Sequence, residues 1–379
     1  MSELNNAIFD DVVVEDLTLP WRETPYRRHS FADPRLRSIS AFVVEDSKVG
    51  NNRLTSLVLK FPRTVLAEFN THRVFSRNSA SSRARSVKAT IKEVIENPYI
   101  PLWTINKAGM SGHWASPRVE AEATEVYLAG RDAAVRTALA LLVGSDRIEG
   151  FGRDDKEIAS RYSEVVDYYY DHMYSGTGAE PDFGLSVHKQ VLNRVLEPYM
   201  FHEVIVTSSY FDNFLKLRDH NEADPAIWGV SHLLGEAIAH SEPTISEIHA
   251  PFSSNLEKTL ILGQPWPVAR PHLIKSAMES AQISYNDKSR AIKSTATAER
   301  GESLLTAGHL SPFEHVAVAT DYYLAHWRSD PFLRISAAWK ATSHQAGCNC
   351  APYWPVLQNS QCARGLTGST IRVCGKVMV

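Results

Sequence analysis

From residue 38 the chain alternates short β-rich runs with longer stretches of helical spacing. Residues 39–44 and 54–61 are dense in β-branched and aromatic side chains, and the turn signal Gly50-Asn51-Asn52 lies between them. The pair predicts two strands joined by a turn. Pro62 opens a short helical stretch over 63–70, with Val65, Leu66 and Phe69 on one face. Residues 71–86 are polar and crowded with arginine and serine, and predict a loop. Ser116-Pro117 supplies an N-cap and a first-turn proline for a helix running to 142. Further helices are predicted over 155–174, with a tyrosine stripe, and over 185–196, stopping before Pro198. A strand over 204–207 leads to helices over 211–218 and 225–240. Residues 243–271 are proline-punctuated and predict a connector. A helix over 273–280, a second helix and a strand over 316–324 follow. The first 35 residues, broken by Pro20, Pro25 and Pro34, predict an arm, and the tail from 346 has no assignable pattern. Helices predominate with strands interspersed, which predicts an α+β fold. The division is an arm over 1–37, a core over 38–242, a connector over 243–270, a further core segment over 271–345 and a tail over 346–379.

Composition narrows the function classes. The 379 residues are 44% hydrophobic and 22% charged, as in a globular protein with a sizeable core. Forty Lys+Arg against 43 Asp+Glu leave a net charge of -3, which argues against a nucleic-acid coat or a polybasic membrane anchor. No apolar run reaches the roughly 20 residues that cross a bilayer. The first residues lack the basic and apolar regions of a secretory signal. All four cysteines fall in the tail, so a disulfide framework is not expected and a cytoplasmic location is. Cys348-Asn349-Cys350 is a poor match to zinc-ligand spacing, and His232, Glu236 and His240 read as a polar helix face, so no metal is expected. Neither a dinucleotide-binding glycine motif nor a P-loop occurs.

Residues 71–85 are the most informative stretch. They hold four arginines, four serines, His72 and Asn78, with no acid. Excess guanidinium forks and hydroxyl donors suit planar anionic ligands: phosphates, a pyrophosphate, or the carbonyl edges of a pyrimidine or flavin. A solvated basic loop and an RNA-backbone patch are the competing readings. Phe75 is the one aromatic residue there, which weakens base stacking as the loop's purpose.

The stretch resembles the signature of the flavin-dependent thymidylate synthases, the ThyX family, at His72, Arg73, Ser76, Asn78, Ser81 and Arg83. It departs from that signature at Thr71, Ser79 and Ala84. Two distant parts of the chain resemble the same family. One is Gly308-His309-Leu310-Ser311-Pro312-Phe313-Glu314-His315, with Ala281-Gln282-Ile283-Ser284-Tyr285 upstream. The other is Asn193-Arg194-Val195-Leu196-Glu197-Pro198 followed by Asn213-Phe214-Leu215-Lys216-Leu217-Arg218. In the family the Gly-His block precedes the arginine loop, whereas here it follows. The resemblance therefore implies a ThyX-like mixed sheet flanked by helices, with its segments circularly permuted.

The resemblance implies C5-methylation of a uridine monophosphate, dUMP or UMP, with FAD bound and with methylene-tetrahydrofolate and NADPH as co-substrates. Ser81 and Arg218 would be the catalytic residues. Glu68, Ser82, Arg83 and Arg194 would join them against the nucleotide, although the family has Gln where Glu68 stands. His72, Arg73, Asn78, Asn213, Ser284, His309, Ser311 and Glu314 would meet the flavin. Thr207 and Ser209 stand where the family has flavin-facing Asn and Arg. Family sites draw residues from several chains, which implies a homotetramer with neither membrane nor nucleic acid as partner. Blander roles exist for several of these residues: a helix C-terminal charge for Arg218, a surface pair for Glu314 and His315, an N-cap for Ser311-Pro312. The rival function is a non-catalytic nucleotide- or RNA-binding protein that keeps the arginine loop.

Overall fold

The structure, a computed structural model, describes residues 7–19, 25–50, 52–79, 81–106, 112–174, 184–283, 294–309, 311–318, 337–338, 371–373 and 376–378. The fold is mixed α+β, and its main sheet is largely antiparallel. The strands are β1 (Val12–Leu17), β2 (Tyr26–Phe31), β3 (Ser40–Val49), β4 (Asn52–Pro62), β5 (Ser76–Ser79), β6 (Phe201–Ser208) and β7 (Thr244–Ile245). Their order is β1-β2-β3-β4-β6-β5, and β7 runs parallel to the far half of β3. The β3–β4 hairpin turns at Gly50, whose φ of 58° is the left-handed conformation that glycine adopts at least cost.

Helices follow in four groups. α1 (Val87–Glu96), α2 (Pro117–Val143), α3 (Asp155–Ser160), α4 (Tyr162–Tyr174) and α5 (Lys189–Val195) bury Val94, Leu139, Val165 and Leu192 in a core of their own. α6 (Asp212–Arg218) and α7 (Pro225–Ala239) come next. Ile227, Leu233 and Leu234 of α7 pack on Leu57, Leu59, Val204 and Val206 of the sheet. α8 (Asn255–Ile261) is fixed by a capping box between Ser254 and Glu257. α9 (Trp266–Gln282) and α10 (Ser294–Thr306) share a core with Phe313 and Val316. The segment after β7 covers the second sheet face, where Phe252 and Ile283 meet Phe42, Val58 and Ile205.

Several expectations need correction. The predicted arm supplies β1 and β2, and Phe9 stacks on Trp228 at 3.9 Å. β1 is an edge strand, mostly exposed, so no alternation betrays it. The predicted connector holds β7, α8 and the start of α9, and buries Ile248, His249, Ala250 and Phe252. The predicted loop contains β5, a polar strand paired along β6. The 155–174 helix breaks at Arg161, and α5 starts only at Lys189, capped by His188. α9 runs through Pro271, at the loss of one backbone bond. Ala317–Val318 form a strand, while 319–324 lie outside the described residues. Ser284 and the four cysteines also lie outside them. In the tail, Ile371–Val373 pairs antiparallel with Lys376–Met378. Among the described residues no helix is long and apolar enough to cross a membrane.

Candidate functional site

Three devices hold the arginine-serine segment in place. At its start Phe69, Phe75 and Phe214 pack ring against ring, with centroids 5.4–5.5 Å apart. His72 lies edge-on to Phe214 at 4.8 Å. Next, β5 joins the sheet, with Ser76 opposite Thr207 and Asn78 opposite Ile205. Last, the buried Asn193 on α5 donates from Nδ2 to the carbonyls of Ser82 at 2.8 Å and Arg85 at 3.1 Å. Arg85 is further tied to Glu93 by an ion pair.

These constraints bring distant residues together. Arg218, at the end of α6, donates from Nε to His72 Nε2 at 3.2 Å and forms an ion pair with Glu68. Burial, and then the neighbouring Arg218 and Arg77 charges, lower the His72 pKa to about 4. The ring is therefore neutral near pH 7 and can accept the Arg218 proton. Arg77 donates from Nη1 to the His72 carbonyl at 2.7 Å. Arg77 is also within electrostatic reach of Glu314, in the short 3-10 helix Ser311–His315. Burial raises the Glu314 pKa to about 7, and the adjacent Ser76 hydroxyl and Arg77 guanidinium only partly offset this. The network Glu68–Arg218–His72–Arg77–Glu314 thus joins three segments that are remote in the chain.

Other expected site residues stand apart from that network. Arg83 and Arg194 are exposed, and neither side chain has an ion pair or hydrogen bond among the described residues. Ser81 is exposed and accepts from the Arg83 backbone N–H at 3.3 Å; Ser82 is half-buried. Arg73, Asn213, His309 and Ser311 are exposed, and Asn78 is half-buried. Arg83 and Arg194 leave donors free for an anion, which fits a nucleotide phosphate or a flavin pyrophosphate. Arg218 has already committed two of its donor positions, to His72 and Glu68. A cavity of about 550 Å³ exists in the protein, but its lining lies at the β2–β3 side of the sheet, away from this segment.

A buried polar row joins Ser76, Thr207 and His315 of the compared segments to residues overlooked in the sequence, Glu45, Ser47, Ser56, His249 and Lys258. Glu45, Ser56, Thr207 and Ser76 sit directly opposite one another across β3, β4, β6 and β5. His315 is fully buried and does not pair with Glu314 at the surface; its Nδ1 lies 2.8 Å from Thr207 Oγ1. Thr207 Oγ1 lies 2.5 Å from Ser56 Oγ, which lies 2.8 Å from His249 Nε2. His249 Nδ1 meets Ser47 Oγ at 3.1 Å, and Ser47 donates to Glu45 Oε1 at 2.5 Å. Lys258 Nζ closes the chain on both Glu45 oxygens, at 2.8 and 3.0 Å. Burial holds His315 neutral, with its pKa lowered to about 3, and holds His249 neutral as well. The sequence signal for Arg77 was its place in the matched segment. Within the buried row, Glu45, Ser47, Ser56, His249 and Lys258 carried none, because they read as surface residues.

His232 Nδ1 meets Asp219 Oδ1 at 3.2 Å, so this helix face is held by hydrogen bonding. Among the described residues no group of three or more His, Cys, Asp or Glu could hold a metal ion. Comparisons with protein-family models, with curated proteins and with solved structures returned no match.

Proposed function

We propose that this protein is a flavin-dependent C5-methylase of a uridine monophosphate, with a permuted ThyX-like chain order. The observation that carries the reading is the meeting of three motif-bearing segments around one arginine loop. Arg218 reaches His72, Asn193 anchors Ser82 and Arg85, and Glu314 faces Arg77. Chance matches scattered along a chain have no reason to fold onto the same fifteen residues.

In this reading Arg83, Arg194 and Ser81 hold the nucleotide phosphate with donors that no group among the described residues uses. Arg218 stabilises negative charge on the uracil carbonyl edge, and Ser81 completes the catalytic pair. The neutral His72 keeps Arg218 in place without competing for its charge. Arg73, Asn78, Asn213, His309, Ser311 and Glu314 would hold the flavin, and Ser284, outside the described residues, would join them. When bound, FAD supplies the hydride that reduces the transferred one-carbon group, drawn from NADPH. Glu314 titrates near neutrality, so the charge it presents to the flavin edge changes in the physiological range. Arg83 and Arg194 make no bond to the Arg218 network among the described residues, and a homotetramer would complete the sites between chains.

Purified protein of this kind is yellow, or becomes so on adding FAD, and binds dUMP. Arg83→Ala weakens nucleotide binding about tenfold or more, as expected for loss of a charge-assisted hydrogen bond, and leaves flavin binding nearly unchanged. A colourless protein that FAD cannot reconstitute, yet which binds nucleotide through Arg83, would favour the rival binding role.

A further inference from the structure

We propose that the cavity between β2, β3, the end of α7 and the start of α8 is a second ligand site, for a small aromatic oxyanion. Its volume, about 550 Å³, is that of a small-molecule pocket. The case rests on which lining groups still have hydrogen-bonding capacity. Two acids in the lining are spent. Glu45 receives two bonds from Lys258 and one from Ser47. Asp46 receives bonds from Arg53, Thr55 and Ser241.

Two cations in the cavity lining, Lys258 and Arg27, keep unused donor capacity. Lys258 is buried and retains one proton beyond its two bonds to Glu45. His29 is 2% exposed, and its ring is held against the Arg27 and Ala41 backbones. His240, whose ring stands 5.6 Å from that of His29, donates from Nδ1 to the Glu236 carbonyl, which leaves Nε2 as the acceptor nitrogen of the ring. The Arg27 side chain has no ion pair or hydrogen bond among the described residues and sits exposed on the lining. Glu242 is an unspent acid, but it lies at the exposed rim. Open donors of this kind select an acceptor-rich anionic head, a carboxylate or a phosphate.

The rest of the wall selects an aromatic body. Tyr26 and Phe252 line the cavity edge-to-face, with centroids 6.3 Å apart. Phe252 adopts a φ of 65°, which a bulky side chain avoids. Backbone strain of this kind persists where surrounding structure fixes a residue, often beside a ligand. Here it sets an aromatic ring against the cavity that holds the open donors.

Isothermal titration of the full chain with phenyl phosphate, benzoate, inorganic phosphate and benzyl alcohol tests the assignment. Saturable binding is expected for phenyl phosphate or benzoate, and the stronger of the two identifies the head group. Inorganic phosphate and benzyl alcohol, each half of the ligand, bind about tenfold or more weakly by comparison. Arg27→Ala, at an exposed position, weakens binding of the aryl anion about tenfold, whereas Arg83→Ala leaves it unchanged. The proposal is overturned if neither aryl anion binds saturably, if benzyl alcohol binds as well as they do, or if Arg83→Ala abolishes binding while Arg27→Ala does not. The inference is independent of the flavin reading, because Arg27 and Arg83 report on separate sites.

Discussion

The two faces of the main sheet are built on different principles. On one, Leu57, Leu59, Val204 and Val206 meet Ile227, Leu233 and Leu234 in an apolar layer. On the other, the row Glu45–Ser56–Thr207–Ser76 crosses the strands beneath His249, Lys258 and His315. The first face earns its stability from area removed from water. The second gains less per residue, since each buried hydrogen bond returns only about 1 kcal/mol net. What it gains is register. The 248–315 segment can dock in one position only if its two histidines and its lysine are all to find partners. Apolar packing tolerates small slips, and a polar row does not. That docking delivers Glu314 to Arg77.

The contrast can be broken at graded cost. Leu233→Ala on the apolar face should destabilise most, by about 2–5 kcal/mol in denaturant unfolding. Thr207→Val, nearly isosteric, removes the hydroxyl joining His315 to Ser56 and should cost about 1–3 kcal/mol, with Thr207→Ser restoring most of it. A neutral Thr207→Val would mean that the row is incidental.

A third test uses pH, with opposite signs at neighbouring residues. Burial lowers the pKa of His202 and His315 to about 3 and that of His249 well below its usual value. In the unfolded chain these groups take up protons near pH 6.5, and in the folded chain they do not. Their linkage therefore costs no stability above pH 6.5 and removes stability progressively as pH falls toward 3. Glu314 behaves in the reverse sense. Its folded pKa of about 7 exceeds the unfolded 4.5, so its contribution is present below 4.5 and lost as pH rises through 7. Urea midpoints measured across this range should flatten on the acid side in His315→Gln and between 4.5 and 7 in Glu314→Gln. Unchanged profiles in both variants would contradict the burial assigned to them.

Hydrophobic pattern made the apolar face legible. The β3 and β4 runs, the turn at Gly50 and the spacing in α2 and α7 each carry a period matched to their structure. The first strands were not legible, because β1 is an exposed edge and Pro25 and Pro34 bracket β2. The 243–271 stretch misled for a related reason: its buried residues, Ile248 to Phe252 and then Lys258, Ile261, Trp266 and Ala269, follow no single period. β5 escaped because Ser76, Arg77, Asn78 and Ser79 have no apolar alternation, and only pairing with β6 makes them a strand. The candidate site was legible through motif spacing around His72 and Arg218. The partnership of Arg77 with Glu314 depends on tertiary docking, and so does the polar row, whose Ser, Thr and Glu members look like surface residues in any local window.

The most direct test of the central claim is product analysis with dUMP and UMP side by side, given methylene-tetrahydrofolate, NADPH and FAD. A C5-methylated monophosphate from at least one substrate, formed only when flavin is present and lost in Arg218→Ala, is the expected result. Failure to methylate either nucleotide with the protein fully loaded with FAD, or methylation that persists without flavin, would contradict the account.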